Sequence, residues 1–156
     1  MVIIVRKLRS FLALSGEERW TFLISLLLLP ALAVALQRIG MRRTRSWLEH
    51  HVPPVAAPSA SDAATRAPRM ARMVNAAARR SPYKANCLKR SLALWWLLRR
   101  RGIDSELRIG VRKKDNALQA HAWIELGGVV LNDSLNYVRT FTPFAGDVMS
   151  VYRFLD

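Results

Sequence analysis

The stretch "NCLKRSLALWWLLRRRG" (residues 86–102) contains Cys87, the only cysteine in 156 residues. From 88 to 101 its pattern is helical. Leu88, Ser91, Leu92, Trp95 and Leu98 recur at spacings of three and four and share one face. Arg99, Arg100 and Arg101 crowd the last turn, where cations complement the helix dipole, and Gly102 supplies the stop. The thiol therefore stands at a helix N-terminus. Unpaired backbone N–H groups and the macrodipole stabilise an anion there. A thiol so placed ionises more readily than a free one, and its thiolate is the nucleophile of cysteine hydrolases and acyltransferases.

After Gly102 the period changes from helical to two. "ELRIGVR" (106–112) sets Leu107, Ile109 and Val111 on one side. "AHAWIEL" (120–126) and "VVLND" (129–133) flank Gly127-Gly128, a hairpin signal. One helix followed by antiparallel strands is an α+β arrangement. A catalytic thiolate needs a base, usually His, oriented by a third group. His121 lies on the first hairpin strand and Asp133 ends the second. The other two histidines, His50 and His51, are adjacent, cannot share one helix face, and read as surface residues.

The hairpin permits two registers. A two-residue Gly127-Gly128 loop puts His121 opposite Ser134, with Asp133 on the other face. A three-residue loop over 126–128, ending in a left-handed Gly128, puts His121 directly opposite Asp133. A Cys87–His121–Asp133 site demands the second. Taken singly, the three residues have plainer readings: a small buried hydrophobe, a structural histidine and a turn aspartate. Their joint placement points to nucleophile, base and orienting acid.

Upstream, "WTFLISLLLLPALAVAL" (Trp20–Leu36) runs seventeen residues without a charge. Ser15 before Glu17 and Glu18 makes a fair N-cap, and Pro30 is expected to kink the helix. A span needs about 20 residues, so the run reads as a helix packed along the next domain. Peripheral membrane contact is the rival, because Arg6, Lys7 and Arg9 precede the run and Arg38, Arg42, Arg43 and Arg45 follow it. Residues 5–16 look like a short basic amphipathic segment, and "MRRTRSWLEHH" (41–51) like a further short helix. "VPPVAAPSASDAATRAP" (52–68) reads as an irregular connector, and 69–80 as a helix with Pro68 at its first turn. The expected organisation is an N-terminal helical segment (1–51), a connector (52–68) and a domain (69–156).

Lys and Arg number 25 against 11 Asp and Glu, for a net charge of +14. Such a balance suits an acidic partner or a solvated basic surface. No basic patch is interleaved with aromatics, as single-strand binders require, so nucleic acid is not an expected partner. One cysteine excludes an internal disulfide and a multi-cysteine zinc site.

The run from Cys87 to Asp133 resembles the transglutaminase-like cysteine peptidases of lasso-peptide biosynthesis, the peptidase part of the B protein. The family pattern is a Cys-Leu-x-Arg-Ser/Ala-Leu helix, Arg-Arg-Gly-Ile/Leu, an Ile-Gly-Val strand, His-Ala-Trp-Val/Ile-Glu and a terminal Asn-Asp. Each piece stands here in order, and "LRSFLALSGEERW" before an apolar helix is similar too. The resemblance implies a transglutaminase/papain-like core in 69–156, with Cys87 as nucleophile, His121 as base and Asp133 as orienting acid. It implies removal of the leader from a ribosomal precursor peptide, within antibiotic biosynthesis, without cofactor or metal. The implied partners are the precursor, a lasso cyclase and a separate leader-recognition protein, since 156 residues leave no room for a fused winged-helix recognition domain. A cytoplasmic location follows, with membrane association as the variant. Two other classes stay open: a transglutaminase-like amidase or acyltransferase with the same triad, and a non-catalytic basic adaptor on nucleic acid or anionic membrane.

Overall fold

The computed structural model of the chain describes residues 13–81 and 85–144. Three helices come first: α1 (Gly16–His50), α2 (Ala60–Ala78) and α3 (Cys87–Arg99). Strands β1 (Glu106–Lys114), β2 (Ala117–Leu126) and β3 (Val129–Val130), the short helix α4 (Leu135–Val138) and strand β4 (Thr142–Pro143) follow. The sheet is antiparallel with order β3-β2-β1-β4. Most of the basic segment expected at 5–16 lies outside the described residues.

α1 starts on a capping box. Ser15 Oγ accepts from the Glu18 N–H at 3.2 Å, and the Glu18 carboxylate accepts from the Ser15 N–H at 3.0 Å. The break expected at Pro30 falls instead at Gly40, whose φ of 73° and ψ of 172° are non-helical. Pro30 forfeits only its own N–H bond, whereas Gly40 enters left-handed space without a Cβ penalty. Beyond it the helix resumes, so 41–50 is the second half of α1. Met41, Thr44 and Leu48 are buried there, and the Trp96 indole N–H donates to the Leu48 carbonyl at 3.0 Å. Leu29, Leu32, Met41 and Leu48 join the same core as α2 and α3, so among the described residues α1 packs as part of that core.

The expected connector is corrected too. α2 begins at Ala60, and Pro68 lies inside it. Ser59 Oγ accepts from the Asp62 N–H at 3.2 Å, a cap that the Ala-rich run 60–67 can propagate. Ala67, Met70, Ala71, Val74 and Ala77 bury one face, which offsets the backbone bond lost at Pro68.

α3 is capped by Asn86, whose side chain accepts from the Lys89 N–H at 3.1 Å. Every residue from Ser91 to Leu98 is buried, because α1 and α2 pack on it as well as the sheet. The single face read from the sequence understates this all-round burial. Ile109 pairs with Ala122 and Leu107 with Ile124, and these four join the helical core. Trp123 points to the other face, where Val138 and Phe141 cover it. The residue opposite His121 is Gly110. A Cβ there would lie 2.9 Å from both the Trp123 ring and the Phe141 Cβ, so this close approach requires glycine.

Gly127 and Gly128 take φ values of 55° and 81°, and Glu125 pairs with Val130 and Leu126 with Val129. The hairpin therefore has a two-residue loop. The three-residue register that the site had been expected to need is not the one formed.

Candidate active site

A two-residue loop would turn Asp133 away from His121 if the ladder ran on, but it does not. The Leu131 N–H donates to the Ile124 carbonyl at 2.9 Å, and there backbone pairing ends. The next ladder position is filled by a side chain: Asn132 Oδ1 accepts from the Ile124 N–H at 2.9 Å. Released from the pleat, the chain swings Asp133 to the face that carries His121. The imidazole Nε2–H donates to Asp133 Oδ2 at 2.8 Å, and the Ser134 N–H donates to Asp133 Oδ1 at 2.9 Å. Thus His121 and Asp133 meet although the register is the one expected to part them.

The early end of β3 also frees an edge. Along a strand, backbone groups two residues apart point to the same side. The N–H and C=O of Ile124 point towards β3, so those of Ala122 do too, where no strand pairs with them. The first turns of α3 take them up. Ser91 Oγ donates to the Ala122 carbonyl at 3.0 Å, and the Ala122 N–H faces the Cys87 thiol, whose anionic form it favours. Cys87 and Ser91 are one turn apart on one helix face, so α3 grips both polar groups of a single residue.

Cys87 is half-buried, and its sulfur is close enough to the His121 ring for the two to shift each other's protonation. With Nε2 committed to Asp133, Nδ1 is the nitrogen left for the thiol. Burial alone would push the thiol up. The His121 hydrogen bond, the Ala122 N–H, the imidazolium charge and the Leu88 N–H outweigh it and hold the thiol below its ordinary value. Burial likewise disfavours the imidazolium, yet Cys87 and Asp133 together raise His121 above its ordinary value. Both shifts favour a thiolate–imidazolium pair.

Aromatic rings wall the imidazole. Phe141 stacks on it with centroids 5.1 Å apart, and Tyr137 meets it edge-on at 5.0 Å. The Arg112 guanidinium lies over Phe141 at 4.4 Å and is tied to Gln119 and Thr140. His50 and His51 sit exposed at the end of α1, hydrogen-bonded to the Ser46 and Trp47 carbonyls. Among the described residues no group of three or more His, Cys, Asp or Glu side chains could hold a metal ion.

All three residues picked from the sequence come together here. Sequence reasoning missed the groups that place them: Asn132, Ser91 as a hydrogen-bonding residue, and Asn75, whose amide donates to the Asn132 carbonyl at 3.0 Å. The one available signal was a polar pair, Asn132-Asp133, closing an otherwise apolar strand.

A family model described as the transglutaminase-like superfamily matches residues 26–146. The chain belongs to the transglutaminase-like superfamily. The match begins inside α1, in line with a core that includes that helix. The chain is also similar to the Microcin J25-processing protein McjB of Escherichia coli, 44% identical over 54 residues. That alignment covers 35% of this chain and 25% of McjB. No solved structure matches the chain.

Proposed function

We propose that this chain is a cysteine peptidase that removes the leader from a ribosomally made lasso-peptide precursor in the cytoplasm. One observation carries the reading: Cys87 at a helix start beside a His121 that is hydrogen-bonded to Asp133, on a transglutaminase-like chain similar to a microcin-processing protein.

The thiolate of Cys87 attacks the scissile carbonyl carbon, and the carbonyl oxygen becomes an oxyanion. The Cys87 backbone N–H, in the first turn of α3, is the candidate donor to that oxyanion. As the tetrahedral intermediate collapses, the C–N bond breaks and His121 gives its proton to the leaving amine. A thioester on Cys87 remains. Water then adds to it with His121 as base, and the thiol and the new carboxyl terminus are released. Asp133 holds the imidazole in the tautomer that serves both steps. The freed core N-terminus would pass to a lasso cyclase.

The test is mass spectrometry of a lasso precursor incubated with the purified chain and a leader-recognition protein. Two fragments whose masses sum to the precursor plus one water support the peptidase. Loss of ammonia with the chain intact would assign a transglutaminase-type amidase or acyltransferase to the same triad. An unmodified precursor, also left intact by Cys87→Ser, would favour the non-catalytic adaptor.

A further inference from the structure

We propose that Asn132 and Ser91 form a positioning relay that holds the nucleophile, the base and the orienting acid in register. The inference rests on the peptidase reading of Cys87, His121 and Asp133.

Asn132 is 3% exposed, and each of its polar side-chain atoms is engaged. Its amide N–H donates to Ser91 Oγ at 2.9 Å, while its Oδ1 accepts from the Ile124 N–H at 2.9 Å. Ser91 Oγ passes the link to the Ala122 carbonyl. One side chain thus joins α3, β2 and the end of β3, and the Asn75 amide anchors its backbone to α2. A buried amide costs free energy unless it is fully paired, so packing alone would be better served by an apolar residue.

What the relay achieves is geometric. By replacing a backbone partner, Asn132 ends the ladder and lets Asp133 reach His121. By holding Ser91, it fixes the turn of α3 that follows Cys87. The Ala122 edge is then presented with its carbonyl on Ser91 and its N–H toward the thiol. His121 and Ala122 are neighbours on β2, so base and N–H donor move together if that edge shifts. Asn132 and the first turns of α3 meet β2 along the same β3-side edge, and Asn132 is bonded to both approaches.

The experiment compares wild type with Ser91→Ala, Asn132→Ala and His121→Ala. Cys87 alkylation by iodoacetamide is followed against pH, beside kcat and KM on precursor. Near-UV circular dichroism and thermal unfolding verify the fold. Ser91→Ala deletes one hydroxyl from a helix in which alanine is the best former, so it keeps the test open if Asn132→Ala unfolds. The relay predicts that folded Ser91→Ala moves the alkylation midpoint upward and lowers kcat by about 10²-fold with KM little changed. A merely structural role would lower the melting temperature and leave the alkylation profile at wild type; that result overturns the inference. An unchanged midpoint in His121→Ala would instead sink the Cys–His reading itself, so the two failures are distinguishable.

Discussion

At Cys87 two opposing effects are decided by neighbours. Burial favours the neutral thiol, but the imidazole and two backbone N–H groups favour the anion and win. The pH dependence follows with a definite sign. The productive pair needs Cys87 ionised and His121 protonated. Activity should rise as the thiol ionises, with that limb below the ordinary 9.0, and fall as the imidazolium loses its proton, above the ordinary 6.5. A bell-shaped kcat/KM profile checks this; a single limb centred on an unshifted thiol would contradict it. Cys87→Ala and His121→Ala should each lower kcat by about 10⁴-fold or more with the fold intact, measured by precursor cleavage. Asp133→Asn should leave a residual rate, because it disturbs the tautomer and not the nucleophile. The three residues were legible because their types and local settings carry chemistry: a thiol at a helix start, an imidazole on a strand, a carboxylate at a strand end. Asn132 was not. Its meaning lies in a bond to Ser91, 41 residues away, which no local pattern reveals.

At the scale of elements, misreadings came where one local rule competed with another. The Gly-Gly turn could be read, but the side chain that ends β3 could not, so register appeared to dictate what Asn132 decides. Pro-, Ala- and Ser-rich 52–68 reads as a connector by composition, yet the Ser59–Asp62 cap and the burial of Met70 and Val74 carry α2 through Pro68. The β1–β2 hairpin followed its alternation, and Asp115 and Asn116 make its turn with φ of 50° and 60°. A close approach between strands is at Gly110. Gly110→Ala would press a methyl against the Trp123 ring and Phe141 beside His121. We expect a loss of about 1–3 kcal/mol, seen as a lower melting temperature, together with slower cleavage. Wild-type stability in this variant would mean that the β4 side yields more easily than the packing indicates.

For the whole molecule the open matter is the outer face of α1. The helix is long and apolar enough to cross a membrane by length and composition. Yet Leu29 and Leu32 are 1% and 2% exposed in the core shared with α2 and α3, while Trp20, Leu23, Leu27 and Val34 face outward. A spanning helix would have to surrender that core, so a carbonate wash should release the protein from membrane pellets; retention would argue for insertion. The charge bears on the proposed capture of a precursor. With 25 basic against 11 acidic residues, the chain should attract an acidic leader or recognition protein through long-range forces. At 0.15 M salt such forces are screened beyond about 8 Å, so on their own they give weak capture. If a recognition protein holds the leader and docks here, it raises the local concentration of the scissile bond at Cys87 without altering the triad. The partner should then lower apparent KM much more than it raises kcat, and added salt should erode that gain through KM. Steady-state cleavage with and without the partner, over a salt series, measures both. Rapid, salt-insensitive cleavage by the chain alone at low precursor concentration would show that it binds the leader by itself.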